Sequence, residues 1–199
     1  MSNRPVYQLI ASMLTVLLAA SASADVSAVK ACVDCHGADG MGRSDPMAPV
    51  IAGMPVGHIE EAIYAYIDGA RHCVKEPKMC DTVASLSDDQ VAAAAKYYGG
   101  LDRGPNHEPF DAALAAKGAA VHAEHCAKCH LPPNDKEVEG AVGIPLHGQR
   151  ADYIRYALQL YLDGDREALV PKMADSLKSL QPGELEALVQ YYASYRATD

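Results

Sequence analysis

The sequence predicts an all-α chain built from one helical unit written twice. Three observations carry that expectation. Two halves share a register of 94–95 residues, apolar residues recur at helical spacing in both, and no segment alternates apolar and polar residues like a strand. Cys32 and Cys126 lie 94 apart, as do His36 and His130, Met79 and Met173, Ser85-Leu86 and Ser179-Leu180, and Tyr97-Tyr98 and Tyr191-Tyr192. YIDGAR from Tyr66 matches YLDGDR from Tyr161 at 95, a one-residue gap that closes again before the methionines. Chance does not hold so many residue types in one register.

Taken in order, residues 1–24 read as a secretory signal. Arg4 supplies the positive start, Val6 to Ala20 is mostly apolar, and Ala22-Ser23-Ala24 is a small-x-small cleavage site before Asp25. The apolar stretch is short and broken by Gln8, Ser12 and Thr15, which argues against a membrane anchor. The expected organisation is a signal peptide (1–24), a first domain (25–101), a linker (102–109) and a second domain (110–199). Glycine, proline and turn formers crowd the segment from Gly99 to Pro109, where the linker falls. The expected location is the periplasm.

Within the first domain, Ile59, Ala62, Ile63, Tyr66 and Ile67 make one apolar helical face, repeated by Ile154, Ala157, Leu158, Tyr161 and Leu162. Near each end, Val91, Ala94, Ala95 and Tyr98 mirror Leu185, Leu188, Val189 and Tyr192. Ser87-Asp-Asp-Gln90 is a capping box opening the first of these helices, and Gly99-Gly100 closes it. Pro182 suits the first turn of the second. An alanine-rich helix is expected from Asp111 to Ala123. Domains of this size are small for a core of side chains alone, and a large buried cofactor would complete them.

The charge narrows the partners. The whole chain carries −9 with histidine neutral, and the leader holds only Arg4. An acidic surface argues against nucleic acid and anionic membrane as partners.

Cys-x-x-Cys-His occurs twice, at Cys32, Cys35 and His36 and at Cys126, Cys129 and His130. This is the attachment signal of c-type haem: two thiols on one turn reach the two vinyl groups, and the adjacent histidine rises beneath the iron. A thioredoxin-like dithiol needs a βαβ context that is absent, and a four-cysteine zinc site would leave the histidines and the register to coincidence. The expected cofactors are two covalently attached haem c groups. Met79 and Met173 each lie 43 residues after a motif histidine, in a PKM triplet placed in a loop outside the apolar faces. They are the expected sixth ligands, with core filling as the bland alternative. His36, Met79, His130 and Met173 would then be the iron ligands. His/Met ligation raises the reduction potential and leaves no vacant site for oxygen or peroxide.

Other residues are less sharply defined. Pro49 and Pro145 either shape the proximal side of each haem or are turn prolines. Arg71 and Arg166 either meet haem propionates or are solvated surface arginines. The tyrosine pairs pack helix on helix. Cys73 and Cys80 have no counterpart in the second half. In an oxidising compartment they are expected to form a disulfide bracing the Met79 loop, with Cys80 as a thiolate ligand the sharper alternative.

At these residues the chain resembles the dihaem cytochrome c4 family, through the two haem motifs, the downstream methionines and the LHGQ…Y…L…Y.DG.R run. The second half also resembles the dihaem cytochrome subunits of flavocytochrome c sulfide dehydrogenases, through PFDAALAAKGAAVHAEHCAKCH, GQRADYIRYALQLY and PKMADSLKSL. The resemblance implies two tandem class I cytochrome c domains related by a pseudo-twofold. It implies an electron-transfer subunit rather than a catalyst by itself, served by an FAD-containing sulfide dehydrogenase subunit or another periplasmic redox protein. The Cys73/Cys80 pair departs from that pattern, and nothing here resembles a flavin-binding fingerprint. A free-standing soluble carrier feeding a membrane oxidase is the alternative of the same class. A dihaem peroxidase or thiosulfate-oxidising enzyme is the alternative of another class, and it needs an open or unusual sixth ligand.

Overall fold

A computed structural model describes residues 29–43, 45–73 and 77–196; the expected signal peptide lies outside them. Among the described residues eight α-helices follow in order: α1 (Lys30–His36), α2 (Val56–Ile67), α3 (Lys78–Val83), α4 (Asp88–Gly99), α5 (Ala112–His125), α6 (Ala151–Asp163), α7 (Pro171–Ser179) and α8 (Glu184–Ser194). Among the described residues the only β pairing is an isolated antiparallel bridge between Arg71 and Arg166. None of these helices is long and apolar enough to cross a membrane.

Local chemistry accounts for the helix ends. Ser87 caps α4 by accepting from the Gln90 amide while the Gln90 side chain accepts from the Ser87 amide, the reciprocal box expected there. Asp111 caps α5 through Ala113 and Leu114. Pro182 does not enter α8: Gly183, at φ 88°, is the N-cap and the helix begins at Glu184. A left-handed residue there needs glycine, so the proline falls one place before the cap.

Each half has its own apolar core. Ile59, Ile63, Val83, Val91, Ala94, Ala95 and Tyr98 form the first, with Val29 and Met54. Val121, Ile154, Leu158, Leu177, Leu188, Val189 and Tyr192 form the second. The α2 and α6 faces are one position narrower than the periodicity suggests. Ile67 and Leu162, equivalent in the repeat, are exposed in the last turn, beyond the edge of each core.

In the second half α5 crosses α8 at backbone contact distance. A β-carbon on Gly118 would overlap the Ala187 carbonyl and lie 2.7 Å from Tyr191 Cβ. Only hydrogen at that position lets the two helices approach so closely.

The halves meet through buried main-chain pairing. Gln149 Nε2 donates to the Val50 carbonyl at 2.9 Å, and its Oε1 accepts from the Val50 amide at 2.6 Å. Asn106, between α4 and α5, donates to the Gln149 and Ala193 carbonyls. Around the Arg71–Arg166 bridge, the His72 amide donates to Asp165 and the Glu167 amide to Ala70. Arg71 and Arg166 occupy equivalent places in the two copies. Equivalent residues pair with each other only where a twofold relation runs between them.

Candidate functional site

The first Cys-x-x-Cys-His lies on α1 and the second in the turn that leaves α5. In that turn the Cys129 and His130 amides both return to the Cys126 carbonyl, at 3.1 and 3.0 Å. Local turn geometry thus brings both cysteines and the histidine of each motif together.

Cys32, Cys35, His36 and Met79 line one apolar cavity, with Ile51, Met54, Ile59, Ile63, Val83 and Leu86 among its walls. In the second half, Cys126 and Met173 pack on the same apolar cluster. All four motif cysteines are unpaired and partly buried. Met79 and Met173 are not in loops, as the sequence suggested. Both sit in the first turn of short helices, α3 and α7. Pro77 and Pro171 account for this: a preset φ and a missing amide suit the start of a helix.

Both motif histidines are oriented from behind. His36 Nδ1 donates to the Pro49 carbonyl at 3.2 Å and His130 Nδ1 to the Ile144 carbonyl at 2.8 Å. A carbonyl only accepts, so the proton sits on Nδ1 and Nε2 keeps its lone pair. Burial also pushes both imidazoles below their usual pKa, favouring the neutral, ligating form. The repeat partner of Pro49 here is therefore Ile144; Pro145, buried, follows it. Paired thiols, an imidazole with a free Nε2 and an apolar wall fit a covalently attached haem.

Arg166 is 5% exposed, which excludes the solvated reading for it. Its guanidinium stacks over Tyr161 at 5.0 Å, and Arg71, on the first cavity wall, over Tyr66 at 5.3 Å. Arg166 Nε and His58 Nε2 are buried without hydrogen-bond partners, and His58 lines the first cavity. An orphaned histidine nitrogen on the wall of a cofactor cavity fits an anionic group that the cofactor brings.

The tyrosine pairs do pack the helices, and they also hydrogen-bond. Tyr97 and Tyr98 donate to the Ala38 and Gly37 carbonyls just after the first motif, at 3.0 and 3.2 Å. The structure pairs Cys73 with Cys80 in a disulfide, so Cys80 offers no thiolate.

Two features of the site escaped sequence reasoning. Ile144, Gln149, Tyr153 and Tyr156, all from the second half, complete the wall of the first cavity. Behind the second motif, the buried His122 and His147 rings meet edge-on at 4.8 Å. His122 Nδ1 pairs with Tyr192 Oη at 3.0 Å, and His147 Nε2 with Tyr191 Oη at 3.2 Å. The first copy carries Ala28 and Ala52 at these places, so the repeat gave no signal.

This histidine pair carries a pH prediction. Burial, followed by the charge of neighbouring groups, pushes both down to about 4 from 6.5. The unfolded chain therefore binds more protons than the folded one between these values. Stability is expected to be full above pH 6.5 and to fall by a few kcal/mol toward pH 4. Denaturant midpoints of the holoprotein across that window check this, and His122→Leu with His147→Leu should flatten the slope.

Comparison with known proteins adds the following. Residues 113–191 match the family described as cytochrome c oxidase, cbb3-type, subunit III. A thiosulfate dehydrogenase electron acceptor of Stutzerimonas stutzeri is 29% identical over 177 residues, 84% of this chain and 80% of that one. Cytochrome c-554(548) of Halomonas halodenitrificans is 36% identical over 80 residues, 40% of this chain and 95% of that one. Among solved structures, thiosulfate dehydrogenase TsdBA of Marichromatium purpuratum superposes with a TM-score of 0.65 at 29% identity. The match covers 83% of this chain but only 36% of that longer one. Reduced cytochrome c4 of Pseudomonas stutzeri gives a TM-score of 0.69 at 22% identity, covering 86% and 98%. At that identity the likeness is one of fold: two tandem class I domains.

Proposed function

This chain belongs to the cytochrome c family and transfers electrons through two covalently attached haem c groups, and from that premise we propose that it takes electrons from an exported dehydrogenase of inorganic sulfur compounds. The carrying observation is the first cavity, where Met79 shares a wall with Cys32, Cys35 and His36. In this reading Cys32 and Cys35 hold haem 1 between His36 and Met79, and Cys126 and Cys129 hold haem 2 between His130 and Met173. With both axial positions filled by protein, the irons exchange electrons and present no vacant site to a substrate, which speaks against the peroxidase or thiosulfate-oxidising alternative. Catalysis then belongs to a partner, met in the periplasm.

Relatives that accept electrons from thiosulfate dehydrogenase support a thiosulfate-oxidising partner. So does the likeness to about a third of the TsdBA chain. The second reading, an FAD-containing sulfide dehydrogenase subunit, is supported by the run from Phe110 through His130. Stopped-flow reduction of the oxidised holoprotein separates them. Catalytic thiosulfate dehydrogenase with thiosulfate is expected to reduce both haems within the enzyme's turnover time. Reduction by a sulfide-charged flavoprotein alone would favour the second reading, and reduction by neither would sink the sulfur assignment and leave a carrier to an oxidase.

A further inference from the structure

The two copies hold their methionines differently. Met79 opens α3, a helix of 6 residues, and Met173 opens α7, a helix of 9 residues, both too short to be stable alone. Cys80, the residue after Met79, is joined to Cys73 across a sequence separation of 7. The second copy has alanine at both equivalent places, Ala168 and Ala174.

Cys73 is itself anchored. Two residues earlier, Arg71 forms the bridge to Arg166, and its amide donates to the Ala65 carbonyl at 2.9 Å. The His72 amide reaches the Asp165 carbonyl in the other half at 3.1 Å. The disulfide thus fastens the first turn of α3 to backbone pinned at the junction of the halves. A second tether acts on the same turn, where Lys78 Nζ pairs with Asp45 at 3.2 Å. Met79 cannot swing away without breaking a covalent bond or disturbing the junction. Met173 packs on the apolar cluster of its own half, and with alanine at 168 and 174 it has no such covalent tether.

We propose that Cys73 and Cys80 are positioning residues for Met79, so that haem 1 keeps its sixth ligand against competitors while haem 2 exchanges its own more readily. This rests on reading Met79 and Met173 as iron ligands. Closing a loop of this size removes enough freedom from the displaced state to weaken a competitor about tenfold.

Imidazole is the probe, added to the oxidised holoprotein. Met173→His blocks exchange at haem 2 and isolates haem 1; Met79→His does the reverse. Haem 1 is expected to bind imidazole about tenfold more weakly than haem 2, and Cys73→Ala with Cys80→Ala should erase that difference at haem 1 alone. Equal affinities with the disulfide intact overturn the proposal. So does an unchanged haem 1 affinity in the cysteine-free protein, or an equal gain at both haems, which would mean general loosening. Should the cysteine-free variant fail to fold, the comparison with the disulfide intact still decides. If Met79→His leaves the sulfur-to-iron charge-transfer band undiminished, the ligand assignment has failed, a result separate from any failure of the clamp.

Discussion

Replacing Gly118 with alanine is expected to destabilise the second half by roughly 3–5 kcal/mol, a loss reserved for core overpacking against rigid neighbours. The added methyl meets the Ala187 carbonyl and the Tyr191 β-carbon, and neither is the free end of a flexible side chain. Relief requires α5 and α8 to move apart. That motion would uncover Val121, Leu188 and Val189 and pull on Cys126, which caps the C-terminus of α5. Gly57→Ala is the control, because a β-carbon there meets nothing within 4 Å and lies in a helix that gains from alanine. Thermal unfolding of the two holoproteins should show a large fall for the first and none for the second. A Gly118→Ala protein as stable as the parent would mean that the helices do not touch there.

The second large effect concerns the electron itself. Met173→His is expected to lower the midpoint potential of one haem by roughly 0.2 V, a modest part of the range that axial ligation spans. A thioether stabilises ferrous iron better than a second imidazole does. One sulfur-to-iron charge-transfer band should vanish with the methionine, and the other haem should keep its own. Met79→His should do the same at the other iron. Spectroelectrochemical titration reads both quantities at once. If either variant keeps both bands and both potentials, that methionine is core filler and the iron has another ligand.

Much of this molecule is legible in its sequence. Ser87 and Gln90 announce a cap because the capping box closes within one turn. Cys32, Cys35 and His36 announce haem attachment for the same reason, since every part of the motif lies within five residues. The helical placement of Met79 and Met173 is not legible there, because it depends on a proline at each helix start that also reads as a loop former. Nor is the role of Ile144, whose backbone carbonyl, not its side chain, meets His130. A repeat reports side-chain identity and is silent on backbone acceptors. The His122–His147 pair is invisible for another reason: it departs from the repeat.

By itself the sequence determined the doubled unit, the helical class and the haem motifs, all of which are local spacings or a comparison of the chain with itself. Tertiary structure alone decided how the halves join: Gln149 pairing with Val50 across 99 residues, second-half residues walling the first cavity, and a glycine admitting two helices to backbone contact. The physical reason is that short-range geometry follows from bond lengths and preset torsions. Long-range contact depends on which surfaces gain most by leaving water together, and neither partner carries a mark of the other.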